Sequence, residues 1–235
     1  MITITPFNEL GRFGNGWLDA HYHFSFAGYH DPTRMGLGPL RVWNDDTIEP
    51  HTGFDPHPHR DMEIVTYVRS GAISHEDSLG NKGVTRAGDV QVMHAGTGIV
   101  HSEYNHQDEP TTLFQIWILP DTKGHGAGWQ ARQFPKEPVT DSLPVLASGR
   151  PADTDGEALP IHQDAAVLGG RLGAGTTITH VLGAGRGAYL VPTDGAIEIN
   201  GRRADRRAGV SISGEETLIL TAIEDAEVVM VEVAL

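Results

Sequence analysis

HPHRDMEIV at residues 57–65 and GIVHSEYN at residues 98–105 decide the reading of this chain. Both lie in short apolar runs of strand character, with only glycine-punctuated segments between them. Side chains two apart on a strand leave the same face, their Cα atoms about 7 Å apart. His57 and His59 therefore project together from one strand, and His101 and Glu103 from another. Three imidazoles and one carboxylate delivered as two pairs surround a divalent ion at roughly 2.0–2.3 Å. Such a set keeps coordination positions open for substrate or oxygen. His21 and His23 repeat the spacing but have no partner motif, so that pair reads as structural.

Working outward, the flanking sequence is β throughout. MEIVTYVRSG (62–71), GVTRAGDVQVMHAG (83–96), TLFQIWILP (112–120) and AEVVMVEVAL (226–235) are short runs rich in β-branched and aromatic residues. Glycine (29 residues) and proline (14) bound them, the pattern of an all-β sandwich or barrel. Only GWQARQFP (128–135) and IHQDAAVL (161–168) leave room for a helical turn or two. GAISHEDSLGNKGVTRAGDV (71–90) is echoed by GAIEINGRRADRRAGV (195–210), with Gly-Ala-Ile, an Asn-containing turn and Arg-Ala-Gly in the same order. The echo predicts two tandem antiparallel β-barrels. One spans 1–135 and the other 161–235, joined by a Pro-, Asp- and Gly-rich linker over 136–160.

Composition narrows the function classes. Seventeen Lys and Arg against 31 Asp and Glu give a formal charge of −14, which repels phosphate backbones and anionic membranes at long range. Arg202, Arg203, Arg206 and Arg207 read as a solvated turn, not a nucleic-acid patch. Without cysteine, disulfides and thiolate chemistry are excluded and a metal must be held by His and carboxylates. The N-terminal MITITPFNEL has no signal-peptide pattern, and the apolar C-terminus is interrupted by Glu224, Asp225, Glu227 and Glu232. Cytoplasmic residence is the expectation.

Gly53 to Asn105 resembles the cupin double motif: Gly53, His57, His59, Glu63 and Gly71, then Gly88, Gly98, His101 and Asn105. HPHRDMEIVTYVRSGAISHEDSLGNKG and AGDVQVMHAGTGIVHSEYN resemble the pirin family more specifically, supported by FSFAGYHDP (24–32), MGLGPLRVWNDD (35–46) and QIWILP (115–120). The match is close over residues 10–135 and looser through GRGAYLVPTDGAIEING (185–201) and GEETLILTA (214–222). The resemblance implies a bicupin of jelly-roll type with metal in the N-terminal barrel only, and a link to quercetin 2,3-dioxygenases. Strand parity leaves Glu63 and Glu103 both open as the carboxylate ligand. The general cupin pattern uses the position of Glu63, whereas the pirin-like HSE implies His57, His59, His101 and Glu103, with Glu63 as a supporting acceptor.

The implied cofactor is one divalent ion, Fe(II) first, with Mn, Ni, Cu or Zn also suited to mixed N/O ligands. The implied substrates are a flavonol and O2, with Glu103 placed to take the proton of the 3-hydroxyl. Two other classes fit the resemblance: a metal- or redox-sensing regulator acting through a protein partner, and a cupin isomerase or sugar-binding module. Projecting the metal motifs onto the second repeat lands near His180 and in TAIED, so the C-terminal barrel is expected to hold no metal. His94 is a strand-end or pocket-rim side chain, and His75 a solvated hairpin residue. Gly96-Thr97-Gly98 lacks the helix and lysine of a phosphate loop. Phe24, Phe26, Phe54, Trp43 and Trp117 are core residues of which one or two line the pocket.

Overall fold

The computed structural model describes residues 1–153 and 156–235; positions 154 and 155 of the expected linker lie outside them. The first twelve strands are β1 (Ile2–Thr5), β2 (Gly11–Gly14), β3 (Leu18–Tyr22), β4 (Leu40–Ile48), β5 (Thr52–His59), β6 (Glu63–Ser70), β7 (Ala72–Asp77), β8 (Lys82–Arg86), β9 (Val90–His94), β10 (Ile99–Asn105), β11 (Thr111–Ile118) and β12 (Gly128–Arg132). They are followed by β13 (Val145–Ser148), β14 (Leu159–Pro160), β15 (Ala165–Leu172), β16 (Thr177–Val181), β17 (Arg186–Asp194), β18 (Ile197–Ile199), β19 (Arg202–Ala204), β20 (Gly209–Ser213), β21 (Thr217–Ala222) and β22 (Ala226–Ala234). The fold is all-β, and the only helical pieces among the described residues are single 3₁₀ turns at Phe7–Glu9 and Pro151–Asp153. The stretches 128–135 and 161–168, read as room for helical turns, instead contribute β12 and the start of β15.

Each half is a sandwich of a large and a small sheet. In the N-terminal half the order β12-β9-β6-β11-β4-β3-β2 faces β5-β10-β7-β8. In the C-terminal half β1-β20-β17-β22-β15-β13-β14 faces β16-β21-β18-β19. The internal echo thus marks a true repeat: 9-6-11-4 corresponds to 20-17-22-15, and 5-10-7-8 to 16-21-18-19. The expected closed barrels are not formed, because the edge strands β5 and β8 make no ladder with the large sheet. β1 crosses over to pair with β20 in the far half, and β13 and β14, within 136–160, extend that same sheet.

Alternation explains the packing. Along β6, Ile64, Thr66 and Val68 point into the N-terminal sandwich while Val65 and Tyr67 point the opposite way. Both faces are covered, so the strand reads as an almost continuous apolar run. The outward set, with Trp43, Phe114 and Ile116, packs on Val167, Tyr189, Val229 and Val231, so the large sheets meet back to back in one core. The small sheets keep one wet face, and β10 alternates buried with more exposed positions. The C-terminal interior is filled by Ile178, Leu218 and Leu220 of the small sheet against Leu168, Leu190 and Met230 of the large one.

Candidate metal centre

The two sheets of the N-terminal half separate around a cavity of about 200 Å³. β5 and β10 supply one wall. They pair antiparallel with His101 opposite His57 and Ile99 opposite His59. A bulge between His101 and Glu103 shifts the register, so that Glu103 stands opposite Phe54 and both Phe54 and His57 face inward despite their odd spacing. Gly53 makes this close pairing possible: a Cβ there would sit 2.1 Å from the Glu103 carbonyl oxygen. The opposite wall is a polar row across the large sheet, in which Gln91, Thr66, Gln115 and Asn44 are consecutive cross-strand partners.

His57, His59 and His101 converge. Their ring centroids lie 4.8, 4.4 and 5.0 Å apart pairwise, and one nitrogen from each falls within 4.8 Å of the others. His57 Nδ1–H donates to the Asp55 carbonyl at 2.7 Å, which leaves Nε2 as its free lone pair. A relay does the same for His101. Asp77 accepts from His75 Nε2 at 3.0 Å, and His75 Nδ1 then faces His101 Nδ1 across a long 3.4 Å contact. Burial disfavours the Asp77 carboxylate, but hydrogen bonds from Asn81 and His75 outweigh it and keep its pKa low, which fixes this direction of donation. His101 Nε2 remains buried and without a partner among the described residues. Burial, then the neighbouring imidazoles, pulls His101 down to about 2 and His59 to about 4, so both are neutral and ready to ligate.

Glu103 is buried in the same cavity. Gln91 Nε2 donates to its Oε1 at 2.7 Å and Gln115 Nε2 to its Oε2, while Thr85 Oγ1 orients Gln91 by donating to the Gln91 side-chain Oε1 at 2.9 Å. Burial raises the carboxyl to about 7 against the opposing effect of these amides and Thr66. Its carboxylate groups with His101 and His75, within 4.8 Å of their ligand atoms, and His101 is common to this cluster and the triple-imidazole one. Glu63 does not join them. It faces away from the cavity and bonds His94 and His162 instead. The turn through Arg60–Met62, with Asp61 at φ +48°, carries the chain from the small to the large sheet and resets the parity.

His75 falls elsewhere than the sequence suggested, and the other candidates take one of the places open to them. His75 is buried, stacked on Trp129 at 4.9 Å and 9°, not solvated: it shares the inner face of β7 with Ile73. His94 ends β9 on the face opposite the cavity. Phe26, Phe54 and Trp117 line the cavity, whereas Phe24 and Trp43 belong to the core between the halves. Gln91, Gln115, Asn44 and Asp46 were not singled out from sequence, although their alternation with Val90, Val92, Ile116, Trp43 and Asp45 places them inward. Asp46 Oδ1 and Asn44 Oδ1 are buried acceptors with no partner among the described residues, and both residues line the cavity. The arginines at 202–207 are committed to Ile2, Asp205, Asp194 and Asp45. No helix among the described residues is long and apolar enough to cross a membrane.

Comparison with known proteins bears on this geometry. The family described as Pirin matches residues 5–118, and the Quercetinase C-terminal cupin domain matches residues 145–233. A Caulobacter vibrioides pirin-like protein is 55% identical, with all of both chains covered. The quercetin 2,3-dioxygenase of Escherichia coli K12 is 41% identical over 98% of this chain and 97% of its own. The crystal structure of the Escherichia coli pirin YhhW in complex with nickel(II) superimposes with a TM-score of 0.92 at 39% identity, covering 100% of this chain and 99% of the other.

Proposed function

The chain belongs to the pirin family, and on that premise we propose that it is a metal-dependent dioxygenase that opens the heterocycle of a quercetin-like flavonol with O2. The observation that carries the metal half of this reading is the buried His101 Nε2, without a partner among the described residues, in a cavity that His57 and His59 also line with one nitrogen of each imidazole within 4.8 Å of the others. Burying such a nitrogen unsatisfied costs free energy that an ion recovers. The donors fit a divalent ion: neutral imidazoles, a carboxylate nearby and no thiolate. His57, His59, His101 and Glu103 are the proposed ligands, in the N-terminal half only. Fe(II) is the proposed ion. When bound, it lowers the pKa of a coordinated hydroxyl and supplies the redox chemistry with O2.

The chain's own residues supply the rest. Burial raises the Glu103 carboxyl to about 7 when no ion is bound; a bound ion lowers it, so Glu103 is suited to accept a proton from an acidic hydroxyl near neutral pH only when it is off the ion. Phe26, Phe54, Tyr22 and Trp117 give aromatic walls for a flat ring system, and Asp46 and Asn44 offer acceptors to its hydroxyl groups. The names of the relatives point to the same class of substrate. The reading is tested by flavonol-dependent O2 uptake of iron-loaded against metal-stripped protein. Uptake only in the loaded form supports it. A protein that retains iron yet consumes no O2 with any flavonol replaces it with a regulator that works through a protein partner.

A further inference from the structure

Glu63, the carboxylate that strand parity left open, sits in a second cluster on the far face of the large sheet. It is buried, and no lysine or arginine pairs with it among the described residues. Its oxygens meet His94 Nδ1 at 2.5 Å, His162 Nδ1 at 3.2 Å and the His162 main-chain N–H at 3.2 Å. A buried carboxylate needs compensating positive charge. These three N–H contacts outweigh burial and keep the carboxyl low, and a divalent ion between the two imidazoles would supply the missing positive charge directly.

We propose that Glu63, His94 and His162 form a second divalent-metal site, selective for a zinc-type ion, that clasps the two halves of the chain. One ligand atom from each residue lies within 4.8 Å of the other two. Ligands bonded at about 2.0–2.2 Å around one ion stand roughly 3–3.5 Å apart, so the 2.5 Å Glu63–His94 contact has to widen by up to about an ångström and a separation near the 4.8 Å bound has to close by up to about 1.8 Å. The ligands come from three segments: the first residue of β6, the last of β9 and the loop after β14. Neighbours give the site definition. His125 stacks on His162 with centroids 4.0 Å apart, and Asp121 holds His125 at 2.7 Å. His162 is the one ligand with an open edge, giving an ion an entry path.

The test is zinc content of the full-length chain, stripped, incubated with excess zinc and desalted. Wild type is expected to retain two ions per chain, His101→Ala one, His162→Gln one, and the double variant none. Zinc should raise the Tm of His101→Ala but not that of the double variant. Glu63→Gln, which keeps the shape and hydrogen-bonding capacity of the site, should match His162→Gln if His162→Gln proves unstable. The proposal is overturned if both cluster variants retain as much zinc as wild type, or if His101→Ala alone removes all of it. A wild type with a single ion that only the cluster variants lose would support the clasp and instead count against the cavity.

Discussion

His101 stands directly opposite His57 across the β5–β10 ladder, their rings 4.4 Å apart, and its Nε2 is buried without a partner among the described residues. The pairing register and the tautomer are set by different parts of the chain. The bulge at Glu103 sets the first, and the Asp77–His75 relay sets the second. The proposed metal centre is thus arranged by residues outside its proposed ligand set.

That relay makes His75 a positioning residue. His75→Phe keeps a flat ring against Trp129 but removes the acceptor behind His101 Nδ1. Metal affinity should fall about 10–100-fold while the fold is kept. Isothermal titration with Fe(II) or Ni(II), beside a circular dichroism spectrum, measures both; unchanged affinity would remove the relay from the account.

Asp46 carries a stability cost that its position in the cavity explains. Burial, with Asp45 and Glu103 nearby, holds its carboxyl well above the usual range. The native state therefore keeps a proton that the unfolded chain releases, and stability falls as pH rises above the unfolded pKa near 3.8. Asp46→Asn should raise stability at pH 7 by on the order of 1 kcal/mol, while weakening binding of hydroxylated flavonols more than of their deoxy analogues. Equal loss for both ligand types would show that Asp46 does not read hydroxyl groups.

His23 gives the opposite pH dependence. It is fully buried between the halves against Tyr189 OH at 3.0 Å, and burial lowers it to about 3. Between that value and the unfolded value of 6.5 the unfolded chain binds the extra proton. This group's contribution is therefore complete above pH 6.5 and is lost as pH falls toward 3, by up to about 1.4 kcal/mol per pH unit. Urea unfolding at pH 7 and pH 5 should show a smaller difference for His23→Phe than for wild type; an equal difference would contradict this origin.

Trp43 ties the two large sheets together, with Phe114 at 5.3 Å and Tyr189 at 5.5 Å. Trp43→Ala should cost about 3–5 kcal/mol, and because the core is shared, both halves should lose stability together. Two separated unfolding transitions, with the C-terminal one unmoved, would argue against a common core.

Much of this was legible in the sequence. Period-two spacing brought His57 and His59 to the inner side of one strand and His101 and Glu103 to the inner side of its neighbour, and the echo of 71–90 in 195–210 marked strands that occupy equivalent places in the two sandwiches. The rest depended on contacts that local patterns do not carry. The turn at Asp61 moved Glu63 to another sheet face, so parity counted from His59 failed. His75 looked like a charged hairpin tip, although Ile73 two residues before it shares its buried face. Gln91 and Gln115 matter only because their strands bring both amides onto one carboxylate. The route of Ile2–Thr5 into the distant sheet has no local signal at all.

The most direct test of the account is the ratio of carbon monoxide released to O2 consumed when anaerobically iron-loaded protein is mixed with quercetin in air, measured beside His101→Ala. Equal amounts of the two gases are expected from wild type and neither from the variant, which should also lose the iron of the cavity. Full turnover by His101→Ala, or O2 consumption without carbon monoxide, would contradict it.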